Sequence, residues 1–230
     1  MFFFFFTSNP YIAIIGDIKK SKKIKEREIF QNQLNSILKK VNQLYSSSIS
    51  SKFTITLGDE FQGLLHSGDN VMEIIQYIKK ETYPIEIRFG IGIGSISTNI
   101  NPEISIGADG PGYHRARDCI EELKMMERRK QRVLSDVQIK IDEDNFLQEL
   151  SLNSILKLMY SIESNWTEKQ KEIINYILFK KKSQIEVAQY FNVSQSNIQQ
   201  ILSKAHYYAY KDAIDSINKI LCEVKYNDSV

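Results

Sequence analysis

The first half of the chain alternates between short apolar runs and segments with helical periodicity. The run YIAIIGDI at 11–18 is almost continuously apolar, which is typical of a strand covered on both faces. Between residues 26 and 45, apolar side chains recur at intervals of three and four, which predicts an amphipathic helix. The runs KFTITL and EFQGLLH then flank a Gly-Asp pair at 58–59, a pattern that favours a β-hairpin.

Two more helices and two more strands follow in the pattern. NVMEIIQYIKK at 70–80 predicts a second helix, and IEIRFGIGIGSI at 85–96 predicts a long strand. One face of that strand carries isoleucine and phenylalanine, and the other carries Gly90, Gly92 and Gly94. Because this second face is bare, a helix, another backbone or a ligand must approach it closely. GPGYHRARDCIEELKMMERRKQ at 110–131 predicts a third helix, and VLSDVQIKID at 133–142 predicts a further strand.

The order β-α-β-β-α-β-α-β predicts an α+β fold. Its natural closure is a ferredoxin-like antiparallel sheet with helices on one face. From about residue 146 the pattern is helical only, which predicts an all-α helix-turn-helix domain. We therefore expect an N-terminal extension at 1–10, an α+β sheet domain at 11–145 and a helical domain at 146–230. The extension, MFFFFFTSNP, has no basic start and is too short to span a bilayer, so we interpret it as a short strand or an upstream start.

Composition and charge limit the classes of function. The net charge of the 230-residue chain is only +2, so the total charge predicts no strong field toward polyanions or membranes. Cys119 and Cys222 are far apart and have no CxxC spacing, which argues against a disulfide framework or zinc site and favours the cytoplasm. No apolar run approaches membrane length, so we expect a soluble protein with no membrane partner.

Two carboxylates occupy positions that are costly for a charge. Asp17 ends the first predicted strand, and Asp59 lies at the hairpin tip beside Glu60. The first strand and the hairpin are neighbours in a βαββ sheet, so these acids can meet at one edge, where two carboxylates repel by roughly 4 kcal/mol at an effective dielectric of about 20. A divalent cation removes that repulsion. Ligation by oxygen alone predicts Mg²⁺ or Mn²⁺, which favour a couple of carboxylates together with substrate phosphates.

The residues after Asp17 suit a phosphate partner. Ile18, Lys19, Lys20 and Ser21 lead into a helix, and backbone N–H groups at a helix start with lysines beside them can bind the triphosphate of a nucleotide. Each feature has a simpler alternative when taken alone. The Gly-Asp pair is ordinary turn chemistry, and KKSKK is typical of a solvated loop.

Several motifs together resemble known families. IAIIGDIKKSKK, KFTITLGDEFQGLL, IRFGIGIGSIST and GADGPGYHRARDCI resemble the SatD family over most of the chain. The first three also resemble the palm-type domain of class III nucleotidyl cyclases and GGDEF diguanylate cyclases, although Leu57 replaces the first glycine of the GGDEF motif. This resemblance implies that Asp17 and Asp59 hold two metal ions, with Glu60 as a substitute ligand. It also implies backbone contacts from Ile18–Ser21 to phosphates, and a homodimer, since such sites form between two subunits.

The same resemblance points to the helix after the glycine-rich strand. Class III cyclases carry there an asparagine four residues before an arginine, and both serve the triphosphate. Arg117 matches the arginine, whereas Tyr113 stands in the place of the asparagine, with His114 and Arg115 as neighbours that could compensate. His114, Arg115 and Arg117 are thus the predicted catalytic residues. The alternatives are a hydrogen-bonded structural histidine and arginines in salt bridges on the helix face.

The segment QIEVAQYFNVSQSNIQQIL at 184–202 has the spacing of a helix-turn-helix and resembles that of sigma factors. Asn192 suits a left-handed turn, and Ser194 suits the N-cap of the second helix. That helix would expose side chains able to contact base edges or phosphates. These predicted DNA-binding residues are Gln195, Ser196, Asn197, Gln199, Gln200 and Lys204. The alternative is a helix-turn-helix used only for packing or protein contacts, because basic residues barely outnumber acidic ones after residue 150.

Two functional hypotheses follow. In the first, a nucleotide-binding, metal-dependent palm domain, catalytic as a nucleotidyl cyclase or transferase if it is an enzyme, is coupled to a helix-turn-helix with a regulatory role. In the second, the protein is a non-catalytic DNA-binding transcriptional regulator whose first domain is a sensor or a dimerisation platform. A purely structural role is the third reading, and the clustered acids disfavour it.

Overall fold

The computed structural model describes residues 4–6, 8–56, 58–129, 135–180 and 182–224. Outside these ranges lie residues 1–3 and 7 of the predicted extension, residue 57 of the predicted hairpin, residues 130 and 131 of the predicted third helix, residues 133 and 134 of the predicted last strand, and residues 181 and 225–230 of the predicted helical domain. Within them the sheet has five strands: β1 Tyr11–Ile18, β2 Ile49–Ile55, β3 Glu60–Leu65, β4 Ile87–Gly94 and β5 Val137–Lys140. The described α-helices are α1 Arg27–Leu44, α2 Val71–Thr82, α3 Pro111–Arg128, α4 Phe146–Glu163, α5 Glu168–Lys180, α6 Gln184–Tyr190, α7 Gln195–Lys204 and α8 Tyr207–Leu221.

The strands lie in the order β2-β3-β1-β4-β5. β1 is central and antiparallel to both β3 and β4, so the predicted neighbourhood of the first strand and the hairpin is confirmed. The predicted order of elements up to β5 is also confirmed. The sheet is mixed rather than antiparallel, because β5 is parallel to β4. Helix α3 returns the chain along the sheet, and such a crossover is what a parallel neighbour requires.

Helices cover both faces of the sheet, not one face as predicted. α1 and α2 bury Ile12, Ile14 and Ile91 on one face, while α3 packs on the other face against Ala13 and Ile15. The glycine face of β4 makes the second layer possible. A Cβ atom at Gly90 would lie 2.1 Å from the carbonyl oxygen of Ala116 in α3, so only a residue without a side chain fits there.

The C-terminal helices share a core with the sheet. The buried apolar cluster is continuous from Ile14 in β1 through Met159 in α4 to Tyr210 in α8. The backbone N–H of Gly68 also donates a hydrogen bond to the carbonyl oxygen of Val224, at 3.0 Å. α4 begins at Phe146, the first residue of the predicted helical domain, but the core does not divide there. The division of the chain into domains therefore stays a prediction.

The described part of the N-terminal extension packs onto the start of α4. Phe4 is buried and stacks on Phe6, with ring centroids 5.6 Å apart. The backbone N–H of Phe5 donates to Asn145 Oδ1 at 2.9 Å, and Asn145 Nδ2 donates to the carbonyl oxygen of Phe5 at 2.6 Å. These residues are not in a strand. None of the described helices combines the length and the apolar character needed to cross a bilayer.

Candidate functional site

Three charged residues form a row at the edge of the sheet where β1 ends and where β3 and β4 begin, and we call it the charge row. Asp17 of β1 lies directly opposite Glu60 of β3 on one side and Arg88 of β4 on the other. Side chains that are paired across neighbouring strands point to the same face. Arg88 precedes Gly90 by two positions, so the charge row lies on the glycine face, which α3 covers.

The carboxylate of Asp17 is buried and paired with two cations. Asp17 is only 5% exposed. Arg88 Nη1 donates to Asp17 Oδ2, and Lys124 Nζ of α3 lies 2.9 Å from Asp17 Oδ1. Burial acts to lower the pKa of Lys124, but the hydrogen bond and charge of Asp17 outweigh burial and raise the pKa. The protein's own cations therefore compensate this buried acid.

The ion pairs continue toward the start of β4. Arg88 donates two hydrogen bonds to the carboxylate of Glu127 on α3. Lys19 Nζ lies 3.5 Å from a carboxylate oxygen of Glu127 and 3.5 Å from one of Glu86. Burial acts to raise the pKa of Glu127, but Arg88 and Lys19 outweigh it and lower the pKa. The edge is thus a network in which each named acid has a cationic partner.

The hairpin tip lies at the same edge. The backbone N–H of Ile18 donates to the carbonyl oxygen of Asp59 at 3.0 Å. Ser21 Oγ donates to Asp59 Oδ2 at 2.6 Å. Glu60 Oε1 lies 3.4 Å from Nη1 of Arg117 on α3. The structure therefore places all three predicted metal ligands at one edge of the sheet, although the Asp17 and Asp59 carboxylates have different partners.

Part of the predicted phosphate-binding backbone is already hydrogen-bonded. The N–H of Ile18 bonds to Asp59, and the N–H of Lys19 donates to the carbonyl oxygen of Glu86 at 2.9 Å. Lys20 follows with a left-handed backbone, φ 53°, directly before a short 3₁₀ helix at Ser21–Lys23. Non-glycine residues with this conformation are uncommon and are enriched at functional sites. Because the N–H groups of Ile18 and Lys19 already have acceptors, the predicted backbone contacts to phosphate stay open only for Lys20 and Ser21.

The three predicted catalytic residues are not grouped in the structure. His114 is exposed, and its Nε2 lies 2.8 Å from Asp109 Oδ1. Arg115 Nη1 donates to the carbonyl oxygen of Ile93 at 2.7 Å, so this side chain is hydrogen-bonded to the backbone near the end of β4. Arg117 alone among the three contacts the charge row. The contacts of His114 and Arg117 match the alternatives stated from sequence, which were a hydrogen-bonded structural histidine and an arginine in a salt bridge.

Tyr113 occupies the position where class III cyclases carry asparagine. It is buried beside Ala13 and Ile15 in the layer between α3 and the sheet. Its hydroxyl has no hydrogen-bond partner among the described residues, and burial raises its pKa. The side chain therefore contributes to packing at this position.

A metal ion bound through Asp17 does not fit this arrangement. Both oxygens of Asp17 contact cations, and an arginine stays charged at any physiological pH. Across the described ranges, no group of three histidine, cysteine or acidic side chains is arranged to hold a metal ion. Binding of Mg²⁺ or Mn²⁺ stays a prediction.

The segment predicted as a helix-turn-helix forms the two short helices α6 and α7. Ser183 and Glu186 form a capping box at the start of α6, and the predicted left-handed turn at Asn192 is confirmed by its φ of 52°. The predicted N-cap is also confirmed, since Ser194 Oγ accepts a hydrogen bond from the N–H of Asn197 at 3.2 Å. α7 buries Ile198 and Leu202. The predicted DNA-binding residues, which are Gln195, Ser196, Asn197, Gln199, Gln200 and Lys204, are all exposed on α7.

Sequence reasoning missed Arg88 and Lys124. The signal for Arg88 was available, because strand alternation places it two residues before Gly90 and hence on the same face as the glycines. Lys124 lies one hundred and seven positions after Asp17 on a separate helix. Nothing in the local pattern distinguishes it from other exposed lysines, so its role could be found only from the packing of α3.

These features define a class of protein: a mixed α+β chain with a five-stranded sheet, a charged sheet edge and a group of C-terminal helices. The chain belongs to the SatD family, because the model of the SatD family matches residues 11–217. The resemblance stated from the motifs is thereby confirmed. No protein with a curated description matches this chain.

Solved structures that are similar in part include two cyclases and a regulator. A bacterial light-regulated adenylyl cyclase is 15% identical with a TM-score of 0.42, covering 56% of this chain and 74% of its own. The catalytic core of a rhodopsin-guanylyl cyclase with converted specificity, in complex with ATPαS, is 14% identical with a TM-score of 0.38. The match covers 61% of this chain and 80% of the cyclase core. A regulator of polyketide synthase expression from Bifidobacterium adolescentis is 12% identical with a TM-score of 0.28. The match covers 94% of this chain and 86% of the regulator. The assignment of this chain rests on the family match.

Proposed function

We propose that this SatD-family protein is a non-catalytic DNA-binding regulator in which the sheet half is a sensor. The observation that carries the proposal is the state of Asp17. Its two oxygens contact Arg88 and Lys124, so the carboxylate that would anchor a catalytic metal is neutralised within the fold. A cyclase-like fold without a free carboxylate at this position suits ligand sensing better than metal-dependent phosphoryl chemistry.

The exposed polar face of α7 supports the DNA-binding half of the proposal. Its amide and hydroxyl side chains carry the donors and acceptors that read base edges in a major groove. The helix is capped at its N-terminus, where recognition helices contact bases. A homodimer would place two such helices on neighbouring half-sites, and this oligomeric state is part of the proposal.

The test is fluorescence anisotropy with a labelled pool of random-sequence duplex DNA, followed by selection of the bound sequences. Asn197→Ala/Gln200→Ala should weaken binding to the selected sequences by about tenfold or more, since each base contact contributes about 1–3 kcal/mol. The matched control is Asn35→Ala/Gln43→Ala, on the exposed face of α1. Equal affinity of the two double variants, or no binding by the wild type at low salt, would overturn the DNA-binding proposal.

A second candidate function is metal-dependent nucleotide binding at the hairpin tip. The observation in its favour is that Asp59, Glu60, Ser21 and Arg117 lie at one edge, next to the left-handed Lys20. Calorimetric titration with ATP or GTP, with and without Mg²⁺ or Mn²⁺, tests it. Metal-dependent binding that Asp59→Asn abolishes supports this function, and identical titrations with and without metal contradict it. Mass spectrometry of the same mixtures reports any turnover.

A further inference from the structure

A cavity of about 350 Å³ lies where the sheet meets the C-terminal helices, and we call it the junction cavity. Its wall comes from Lys19 after β1, from α2, from the segment that leads into β4, from the residue before β5, and from α4, α5 and the turn between them. The volume lies in the range of small-molecule sites. None of the sequence motifs pointed to this cavity, because its residues come from separate parts of the chain.

Two partly buried carboxylates of the junction cavity share one lysine. Lys79 Nζ lies 2.8 Å from Asp136 Oδ2 and 2.8 Å from Glu163 Oε2. Tyr210 donates a further hydrogen bond to Glu163 Oε2 at 3.1 Å. One cation thus faces two acids in a poorly solvated position. Such a region attracts hydrogen-bond donors such as ring N–H and amino groups.

The neighbouring hydroxyl of Tyr160 experiences the same negative potential. Burial raises its pKa, and the charges of Asp136 and Glu86 raise it further, against the opposing charge of Lys79. Glu86 also lines the junction cavity, and its partner Lys19 is shared with Glu127. The acids of this region are therefore only partly compensated by lysines.

Neutral polar groups are also available in the junction cavity. The side-chain amides of Gln76 and Asn175 and the hydroxyl of Tyr160 line it, and none of the three has a hydrogen-bond partner among the described residues. Each amide offers both donors and an acceptor. This combination suits the edge of a planar heterocycle, which carries donors and acceptors side by side.

Two lysines that line the junction cavity are more exposed than Lys79. Lys80 and Lys171 line it with about a third of each side chain exposed, beside the exposed ring of Tyr83. Their partners are surface acids near in sequence, at 2.8 Å for Lys80 and 3.2 Å for Lys171. Surface pairs of this kind contribute about 0–1 kcal/mol, so an incoming anion can replace them at little cost.

From these acids, amides and weakly paired lysines we propose that the junction cavity binds a small ligand with a planar, amino-bearing heterocycle and one anionic group, the chemistry of a purine nucleoside monophosphate. The heterocycle contacts the acids and the amides, and the anionic group contacts Lys80 and Lys171. The proposal deepens the proposed function, on which it rests for its biological meaning, because it names the class of ligand that is sensed. Asn175 is adjacent to Tyr176, whose ring stacks on Tyr190 of α6 at 4.3 Å, so the ligand lies one residue from a contact with the helix-turn-helix.

The test is calorimetric titration of the full chain, without metal, with adenosine or guanosine monophosphate, adenosine and inorganic phosphate. We expect a monophosphate to bind, with adenosine and phosphate each at least about tenfold weaker, since a charge-assisted hydrogen bond contributes about 1.5–3 kcal/mol. Lys171→Met should weaken monophosphate binding by about tenfold. Lys169→Met is the matched control. Lys169 lies on the same helix, has the same 3.2 Å ion pair with an acid three residues away, and does not line the cavity.

Absence of monophosphate binding overturns the proposal, and so does an equal effect of the two lysine substitutions. Binding of adenosine as tight as that of its monophosphate also overturns it, because the anionic half of the ligand would then contribute nothing. Asn175→Ala, which removes an amide and no ion pair, should also weaken binding. DNA anisotropy on the same samples keeps the two proposals separate. DNA binding without monophosphate binding overturns only the cavity proposal, and monophosphate binding without DNA binding overturns only the regulator.

Discussion

Asp17 illustrates how a buried carboxylate is stabilised without a ligand. Transferring a charge from water into the interior is costly unless partners surround it. Arg88 approaches from the neighbouring strand and Lys124 from the covering helix, so each oxygen faces a positive charge. The two cations differ in kind, since arginine has a fixed planar fork and lysine has a flexible stem.

Arg88→Met should lower the free energy of unfolding by about 3–5 kcal/mol, because Asp17 and Glu127 would both lose a buried partner. Arg88→Lys should be intermediate, since lysine restores the charge but not the bidentate contact. Urea unfolding followed by circular dichroism measures both values.

The control for this prediction is Lys52→Met. Lys52 pairs with Glu103 at 2.6 Å, but both side chains are exposed, so the loss should stay below about 1 kcal/mol. If Arg88→Met and Lys52→Met had the same effect, the compensation of Asp17 by Arg88 would be unimportant for stability.

Helix α3 and strand β4 pack unusually closely. Gly90 and Gly92 of the strand lie against the backbone of the helix. This packing brings α3 close enough to the sheet for Lys124 to contact Asp17. Packing at this distance leaves no space for even a methyl group. The glycine face of β4 thus determines the position of the charged side chains that α3 contributes.

Gly92→Ala should lower the free energy of unfolding by about 3 kcal/mol or more, because a Cβ atom there would lie 1.9 Å from the carbonyl oxygen of Gly112. Because the nearest atom belongs to the backbone, no change of side-chain rotamer can relieve the clash, and α3 as a whole must shift. Gly107→Ala is the comparison, because its Cβ atom would meet nothing within 4 Å and only its φ of +87° opposes the change. We expect a loss of about 1–2 kcal/mol there. Thermal and urea unfolding check the difference, and equal losses would contradict close packing at Gly92.

The elements themselves were largely predictable from the sequence. Apolar periodicity and the Gly-Asp turn gave β1, the hairpin and the first three helices, because these signals are local. The parallel pairing of β5 was not predicted, and for the glycine face of β4 a helix was only one of three expected neighbours. Both depend on where α3 packs. Apolar periodicity shows which residues of a helix are buried, but it does not show which face of the sheet the helix covers. The meeting of Asp17 with the hairpin tip followed from strand order, whereas its cations did not.

The two halves of the chain are joined by polar contacts as well as by the apolar core. Lys79 on α2 pairs with Asp136 before β5 and with Glu163 at the end of α4, and Tyr210 on α8 bonds to the same glutamate. No short stretch of sequence contains two of these partners. Local patterns could therefore predict a sheet half and a helical half, but not the cluster that connects them or the junction cavity beside it.

Unfolding should become easier in alkali because of this cluster. Burial and the charge of Glu163 hold the pKa of Tyr210 well above its ordinary value of 10.0, so the folded state keeps a proton that the unfolded state loses. The stabilisation is complete below pH 10.0 and decreases as the pH rises toward the folded pKa. Tyr210→Phe should therefore show a shallower decrease in the free energy of unfolding above this pH. Parallel curves for Tyr210→Phe and the wild type would contradict the prediction.

Trp166 is the one tryptophan of the sequence, and it lies in the wall of the junction cavity. Its indole donates a hydrogen bond to the carbonyl oxygen of Ala205, and its ring packs edge-on against Tyr210. The native protein thus contains a single tryptophan, at the boundary between its halves. Its emission wavelength and quenching can report occupancy of the cavity, and separation of the helices from the sheet, without a dye or an engineered label.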